Sequence, residues 1–235
     1  MNNLAPSTPL ALPALPEGAR VLLVRLSALG DVLFSLETVA ALRAARPDVR
    51  MDFLVEDRFA AVLEGHPDLD RVLTVPRRGR WRLPGAIRRL RRHRYDLVVD
   101  LHGLLKSAWL VRLARARRRV GPAAPIAREG AWRAYDVAVP FDGPRPHRAE
   151  QGLHMLRTLG ITTAAPAVPR LGLPEAPAGC WAARSTDRPR IALHPGTSAF
   201  AAFKRWPIDR FHQLARRLLG TADLAVSYGP GEDEL

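Results

Sequence analysis

The sequence predicts an α/β fold, with one complete Rossmann-like domain and the start of a second. Short apolar runs alternate along the chain with stretches of helical periodicity. The stretch VLLVRLSALGDVLF at 21–34 reads as a buried strand, a small-residue turn and the start of a helix. After an Ala/Pro-rich segment at 161–188 the same alternation begins again. Such alternation predicts a mostly parallel sheet with right-handed crossovers.

The elements of the first domain follow one another in pairs. The first strand, 21–26, precedes a helical pattern over 31–47, in which apolar residues recur at helical spacing until Pro47 ends it. The later elements are predicted as strand 51–56, helix 57–65, strand 71–76, a helix after Pro84, strand 95–103, helix 104–116, strand 117–122, strand 135–140 and helix 147–160.

Composition shifts divide the chain into four parts. They are a flexible tail at 1–18, the Rossmann-like domain at 19–160, a linker at 161–188 and an incomplete domain at 189–235. The last part contains a predicted strand and turn over 190–196, a helix at 206–220 and a strand that runs into a polar turn over 223–235. We expect a β–α–β unit of this size to have little stability alone.

Charge and cysteine content restrict the classes of partner and compartment. The formal net charge of +13 attracts polyanions such as nucleic acid, anionic lipid or a phosphorylated substrate. Nearly all cations are arginine, and the two lysines are Lys106 and Lys204. The single cysteine, Cys180, excludes an internal disulfide and a zinc site with several sulfur ligands. The amino-terminal stretch lacks the pattern of a signal peptide, so we expect a cytoplasmic protein.

Asp31 is the first candidate functional residue. It follows the turn Ser27–Gly30 at the carboxyl end of the first strand, the edge where open α/β sheets bind ligands. A carboxylate there can cap the helix or take a proton from a substrate, and the local sequence allows both.

Five spaced blocks of the chain resemble a known family in the expected order. They are RLSALGDVLFSLETVAALR, YDLVVDLHGLLKSAWL, RVGPAAPIAREGAW, HRAEQGLHMLRTLGI and IALHPGTSAFAAFKRWPIDRFHQLA. Together they resemble the glycosyltransferase family that includes the bacterial heptosyltransferases of lipopolysaccharide inner-core synthesis. The resemblance implies a GT-B type fold with two Rossmann-like domains. It also implies inverting transfer of heptose from ADP-heptose, without metal or other cofactor, to a lipopolysaccharide-core acceptor at the cytoplasmic face of the inner membrane.

The resemblance also implies roles for individual side chains. Asp31 stands at the position of the catalytic base. The acceptor-binding candidates are Arg25, Lys106, Arg128 and His147, and the donor-binding candidates are Thr197, Lys204 and Glu232. Cations suit an acceptor carboxylate or phosphate, the turn at Thr197 suits a phosphate oxygen, and a lysine can neutralise the leaving diphosphate. The simpler alternatives are a solvated Lys106, a helix-capping His147 and a solvated Glu232.

The chain departs from the family pattern in two places. Gln151 stands where the family usually has an arginine. The family's donor domain continues with a D-T-G-x-x-H motif and a final helix, which do not occur in the 235 residues. From the chain alone we therefore expect little transferase activity.

Two other classes of function compete with this interpretation. The arginine-rich segment 77–94, which includes Trp81, is compatible with nucleic-acid binding without catalysis. A solvated face, or a face against anionic lipid headgroups, explains it better, so no nucleic-acid partner is expected. The strand–turn–helix at 21–34 also suits a dehydrogenase, but its turn lacks the spaced glycines of the dinucleotide fingerprint.

Overall fold

The computed structural model describes residues 15–79, 82–162, 169–171, 187–197 and 203–229. The chain forms two compact units, Met1–Leu173 and Pro174–Leu235. The division between them lies inside the predicted linker. Residues 1–14 of the predicted tail and most of the linker lie outside the described residues.

The first unit is built on a six-stranded sheet in which every neighbouring pair is parallel. The strand order is β3-β2-β1-β4-β5-β6. The strands are β1 Arg20–Val24, β2 Arg50–Glu56, β3 Arg71–Val75, β4 Arg94–Asp100, β5 Arg115–Pro122 and β6 Val137–Val139. This order reverses between β1 and β4, and such a switch point opens a crevice at the carboxyl ends of the two strands.

Helices cover both faces of the sheet. They are α1 Leu29–Phe34, α2 Leu36–Ala45, α3 Leu83–Leu90, α4 Leu105–Leu113 and α5 Arg148–Thr158, with 3-10 helices at Asp57–Val62 and Ala131–Ala134. Residues of α2 and α5 pack in one core cluster with Val21 and Leu23. Residues of α3 and α4 pack in the other with Leu22 and Val24. Because β1 is buried on both faces from Val21 to Val24, these residues are continuously apolar rather than alternating.

The predicted single helix over 31–47 is wrong, because the chain forms α1 and α2 with Ser35 between them. The Ser35 hydroxyl donates to the Asp31 carbonyl at 2.8 Å. A serine that bonds back to the preceding turn in this way bends a helix. Helix α1 also begins at Leu29, which places Asp31 inside its first turn.

A buried carboxylate fixes the turn that follows β4. Asp100 accepts hydrogen bonds from the Tyr135 hydroxyl at 2.8 Å and from the backbone N–H of His102 at 2.8 Å and of Gly103 at 3.2 Å. Burial raises the pKa of Asp100, and these hydrogen bonds act in the opposite direction. Tyr135 reaches Asp100 across Gly121, where an added Cβ would lie only 2.4 Å from the tyrosine ring.

The second unit is smaller and more exposed. Strands β7 Arg190–Leu193 and β8 Asp223–Val226 pair in parallel, and α6 Ile208–Leu218 connects them. The strands occupy the first four residues of the predicted strand-and-turn segments 190–196 and 223–235, and residues 230–235 lie outside the described part. Helix α6 has no fully buried residue.

Replacing Gly121 with alanine should destabilise the first unit. The added methyl group must displace the Tyr135 ring, and overpacking of this kind costs about 1–3 kcal/mol in the free energy of unfolding. Urea unfolding of G121A measures the loss. The matched control is G30A, because a Cβ at Gly30 meets no atom within 4 Å. Equal stabilities of G121A and G30A would contradict the close packing of Tyr135.

Candidate active site

A polar cavity opens where the sheet order reverses, at the carboxyl ends of β1 and β4. Its volume is about 220 Å³. It is lined by Arg25, Ser27, Ala28, Asp31, His102, Leu104, Ile126, Arg128, Arg145 and Arg148. Among the described residues that line it, four guanidinium groups and one carboxylate make this cavity strongly cationic. Three of the residues singled out from the sequence, Arg25, Asp31 and Arg128, meet here.

Asp31 presents its carboxylate to the cavity, and its side chain is 29% exposed. Oδ2 accepts a hydrogen bond from Arg25, and Oδ1 lies 3.8 Å from Nε of Arg148. The interpretation of Asp31 as the cap of the helix is wrong, because the N-cap position is Ala28 and no side chain caps it. The carboxylate is therefore held by arginines rather than by backbone N–H groups.

Arg25 is almost fully buried beside Asp31. Besides bonding Asp31, it donates to the carbonyl of Leu101 and to that of Ser27 at 3.2 Å. Burial lowers the pKa of Arg25, and the charge of Asp31 is the largest effect that opposes the shift. Most of its donors are thus engaged within the protein. Its role in acceptor binding stays a prediction, while its contacts show that it holds Asp31.

Arg145 and Arg148 were not singled out from the sequence. Burial is the first cause that lowers the pKa of each. Repulsion by Arg148 and Arg128 lowers the pKa of Arg145 further. Repulsion by Arg25 and Arg128 does the same for Arg148. Gln151 accepts from Arg148 at 3.3 Å and donates to the Pro146 carbonyl at 2.9 Å. The glutamine that departs from the family pattern therefore supports an arginine of the cavity.

His102 is a third residue of the cavity that the sequence reasoning missed. Burial, followed by the positive charge of Arg25, lowers its pKa to about 4. Its Nδ1 is buried and has no hydrogen-bond partner among the described residues. The imidazole is therefore neutral near pH 7. The signal in the sequence was the polar residue pair Asp100 and His102 at the end of a buried strand.

Lys106 lies outside this cavity. Its Nζ donates to Glu56 at 2.7 Å, and the same buried carboxylate accepts from Arg58 at 2.9 Å. Glu56, the last residue of β2, was not singled out from the sequence. The Lys106 side chain is nevertheless 51% exposed, so the solvated alternative holds in part, and its role in acceptor binding stays a prediction.

Comparisons with known proteins assign the chain to a family. Residues 84–232 match the model of glycosyltransferase family 9 (heptosyltransferase). The chain belongs to this family. Lipopolysaccharide heptosyltransferase 1 of Pseudomonas aeruginosa is 38% identical over 136 residues, which cover 51% of this chain and 38% of that protein. Lipopolysaccharide heptosyltransferase 3 of Escherichia coli is 24% identical over 221 residues, which cover 88% of this chain and 62% of that protein.

A solved structure supports the same assignment for the fold. The Escherichia coli heptosyltransferase WaaC with ADP has a TM-score of 0.72 at 27% identity, covering 92% of this chain and 69% of that chain. The expected α/β fold of GT-B type is thereby confirmed. Neither the dehydrogenase nor the nucleic-acid alternative is favoured by these matches.

His147, the acceptor-site candidate in the fourth family block, precedes α5. Its Nδ1 accepts from the N–H of Ala149 at 3.4 Å, so it caps the helix, and its ring contacts Phe34 edge-on at 4.5 Å. It does not line the cavity, although its neighbours Arg145 and Arg148 do. A role in acceptor binding stays a prediction.

The donor-site candidates of this heptosyltransferase-family chain lie in its second unit. Thr197 accepts from Arg205, through its hydroxyl at 3.0 Å and its carbonyl at 2.8 Å. The ammonium of Lys204 lies 5.6 Å from the ring centre of Phe203. Glu232 lies outside the described residues. All three roles stay predictions.

The neutral His102 should make stability fall as the pH is lowered. Its folded pKa is about 4 and its usual value is 6.5, so between these values the unfolded chain binds more protons than the folded one. The free energy of unfolding falls by about 3 kcal/mol in total, and the full fall is reached below both pKa values. H102Q should lack the fall in the free energy of unfolding that comes from His102. Urea unfolding of both chains between roughly pH 7 and pH 4.5 measures the difference. Parallel pH profiles of H102Q and the unmodified chain would contradict a buried neutral imidazole.

Proposed function

We propose that this chain acts as part of a glycosyltransferase that moves heptose from ADP-heptose to a lipopolysaccharide inner-core acceptor, with Asp31 as the general base. The observation that carries the proposal is the carboxylate of Asp31, held by Arg25 and open to a cationic cavity at the switch point of the sheet. Family membership and the names of the relatives support the heptose and the acceptor. The ADP in the WaaC structure supports the donor. The proposal concerns the whole protein, because the relatives are longer than the matched region.

The two oxygens of Asp31 have different surroundings, which suits proton transfer. Oδ2 is bonded to Arg25, whereas Oδ1 lies 3.8 Å from Nε of Arg148. We assign Oδ1 as the atom that takes the proton. In an inverting displacement the acceptor oxygen forms a bond to the anomeric carbon while the bond from that carbon to the diphosphate oxygen breaks. ADP leaves with the electron pair, and the hydroxyl proton moves to Asp31.

The remaining arginines suit an anionic acceptor. Arg128, Arg145 and Arg148 bring three like charges to one small cavity. Burial, and after it repulsion among guanidiniums, lowers the pKa of Arg145 and of Arg148. A carboxylate or phosphate of the acceptor would relieve that repulsion and be bound by several charge-assisted hydrogen bonds. We therefore place the acceptor, rather than the donor, in this cavity, with Lys106 and His147 at its margin.

For the donor we propose the second unit. Lys204 would neutralise charge on the leaving diphosphate without a metal ion, the turn at Thr197 would contact a phosphate oxygen, and Glu232 would accept from the ribose hydroxyls. Among the described helices none has both the length and the apolar character to cross a bilayer. We propose a cytoplasmic protein in peripheral contact with the inner membrane.

Removing the base should abolish most of the transfer. D31N keeps the shape of the side chain and a partner for Arg25 but accepts no proton, so turnover should fall at least about a hundredfold, with donor affinity nearly unchanged. ADP release is measured in a form of the chain extended to the length of its relatives. The matched control is E37Q, which removes a carboxylate from the first turn of α2. Equal turnover in D31N and the unmodified protein would refute the assignment of the base.

Removing the donor-side lysine should weaken binding of the nucleotide. Loss of one charge-assisted contact to a diphosphate corresponds to about tenfold in the dissociation constant of ADP. Isothermal titration of ADP into K204A, in the same extended form, measures this. R210A is the control, because it removes a cation from α6 in the same unit. If both variants bind ADP equally well, Lys204 does not belong to the donor site.

A further inference from the structure

A second, larger cavity lies beside the candidate active site. Its volume is about 620 Å³. It is lined by Val75, Pro76, Arg77, Leu83, Leu105, Lys106, Trp109, Leu110 and Glu129. Most of these residues are apolar, in contrast to the cationic cavity around Asp31. Lys106 is the one residue of the proposed transfer reaction among those that line it.

Two large apolar side chains stand exposed at its mouth. Leu105 is 57% exposed and Trp109 is 48% exposed. They lie one helical turn apart on α4 and form a ridge, which we call the Leu105–Trp109 ridge. A third cavity, of about 310 Å³, lies on the other side of this ridge and shares both residues. Exposed apolar surface of this kind, beside apolar cavities, marks a site of interaction.

Cations surround the ridge. Arg77 and Lys106 line the large cavity, and Arg112 and Arg133 line the smaller one. The acidic residue that lines both cavities, Glu129, accepts a hydrogen bond from the N–H of Leu105 at 3.1 Å and so belongs to the start of α4. A tryptophan and a leucine among arginines are typical of a surface that enters the headgroup region of an anionic membrane.

The ridge adjoins the cavity around Asp31 through consecutive residues. Leu104 lines the cationic cavity, and Leu105 and Lys106 line the apolar one. Between them the Lys106–Glu56 ion pair joins the start of α4 to the end of β2. Polar and apolar cavities thus open at the same edge of the sheet, as required for a ligand with an anionic head and an apolar tail.

We propose that the apolar cavity between β3 and α4 receives an acyl chain of an anionic membrane lipid, with the Leu105–Trp109 ridge entering the lipid surface. That this lipid carries the sugar acceptor rests on the proposed function, whereas the binding of the acyl chain does not. Charge complementarity favours this occupant over a second copy of the chain, because two copies of a ridge surrounded by cations repel each other.

Vesicle binding tests the proposal on the chain itself. The double variant L105Q/W109Q keeps good helix formers on α4 and removes the apolar ridge. Its co-sedimentation with vesicles of phosphatidylglycerol and phosphatidylcholine should be at least about tenfold weaker than that of the unmodified chain. The matched control is W206Q/L219Q, which replaces the same residue types at 48% and 60% exposure in the second unit. The control should bind vesicles like the unmodified chain.

The outcomes separate the proposed occupant from the alternatives. W109F should retain binding, because a phenylalanine also enters a lipid surface, and circular dichroism checks that each variant is folded. Unchanged binding by L105Q/W109Q, or equal losses in both double variants, would overturn the proposal. Equal binding to vesicles of phosphatidylcholine alone would overturn the assignment to anionic lipid. A change of molecular mass in solution caused by L105Q/W109Q would show instead that a second copy covers the ridge.

The result is independent of the catalytic assignment. D31N should bind vesicles as the unmodified chain does, because Asp31 lies outside the apolar cavity. Loss of turnover in D31N together with unchanged vesicle binding by L105Q/W109Q would overturn the lipid site and leave the proposed function intact. Unchanged turnover in D31N together with weakened vesicle binding by L105Q/W109Q would overturn the assignment of Asp31 as the base and leave the lipid site intact.

Discussion

The buried guanidinium of Arg25 is the constraint on which the candidate site depends. A cation taken out of water destabilises the fold unless it is paired and hydrogen-bonded. Arg25 meets this requirement by bonding the Leu101 carbonyl after β4, the Ser27 carbonyl after β1 and the carboxylate of Asp31. The folded chain therefore has to bring Asp31 to the reversal of the sheet order. The position of the carboxylate is a consequence of folding and needs no ligand to create it.

The position of Asp31 could be predicted from the sequence because local signals determine it. A continuous apolar run predicts a central parallel strand, and the turn after such a strand lies at the carboxyl edge of the sheet. Arg145 and Arg148 could not be predicted in this way. They reach the cavity from a loop and a helix far along the chain, and in a chain with so many arginines no single one stands out. Only the folded structure adds these two arginines to Arg25 and Arg128, which the family resemblance implied.

Other errors of the sequence interpretation also have a physical origin in non-local or competing contacts. The pattern over 31–47 is periodic throughout, yet a hydrogen bond from the Ser35 hydroxyl divides the helix, and periodicity of apolar residues does not report it. Lys106 is half exposed, as its solvated alternative predicted, but its ion pair with Glu56, 50 residues away, was not predicted. Glu56 ends a strand whose other residues are almost all buried, so its carboxylate needs a cation wherever one is available.

The ion pair between Glu56 and Lys106 also explains how two unlike cavities can share one edge of the sheet. Glu56 is nearly fully buried, and its carboxylate forms ion pairs with Lys106 and Arg58 at the boundary. Lys106 in turn directs its ammonium towards Glu56, while Leu105 and Trp109 extend into solvent from the same helix. Helix α4 therefore presents a cation to the end of β2 and apolar side chains to its exterior. A surface divided in this way matches an amphiphilic ligand better than a fully polar one, because each half of such a ligand meets groups that its own chemistry favours.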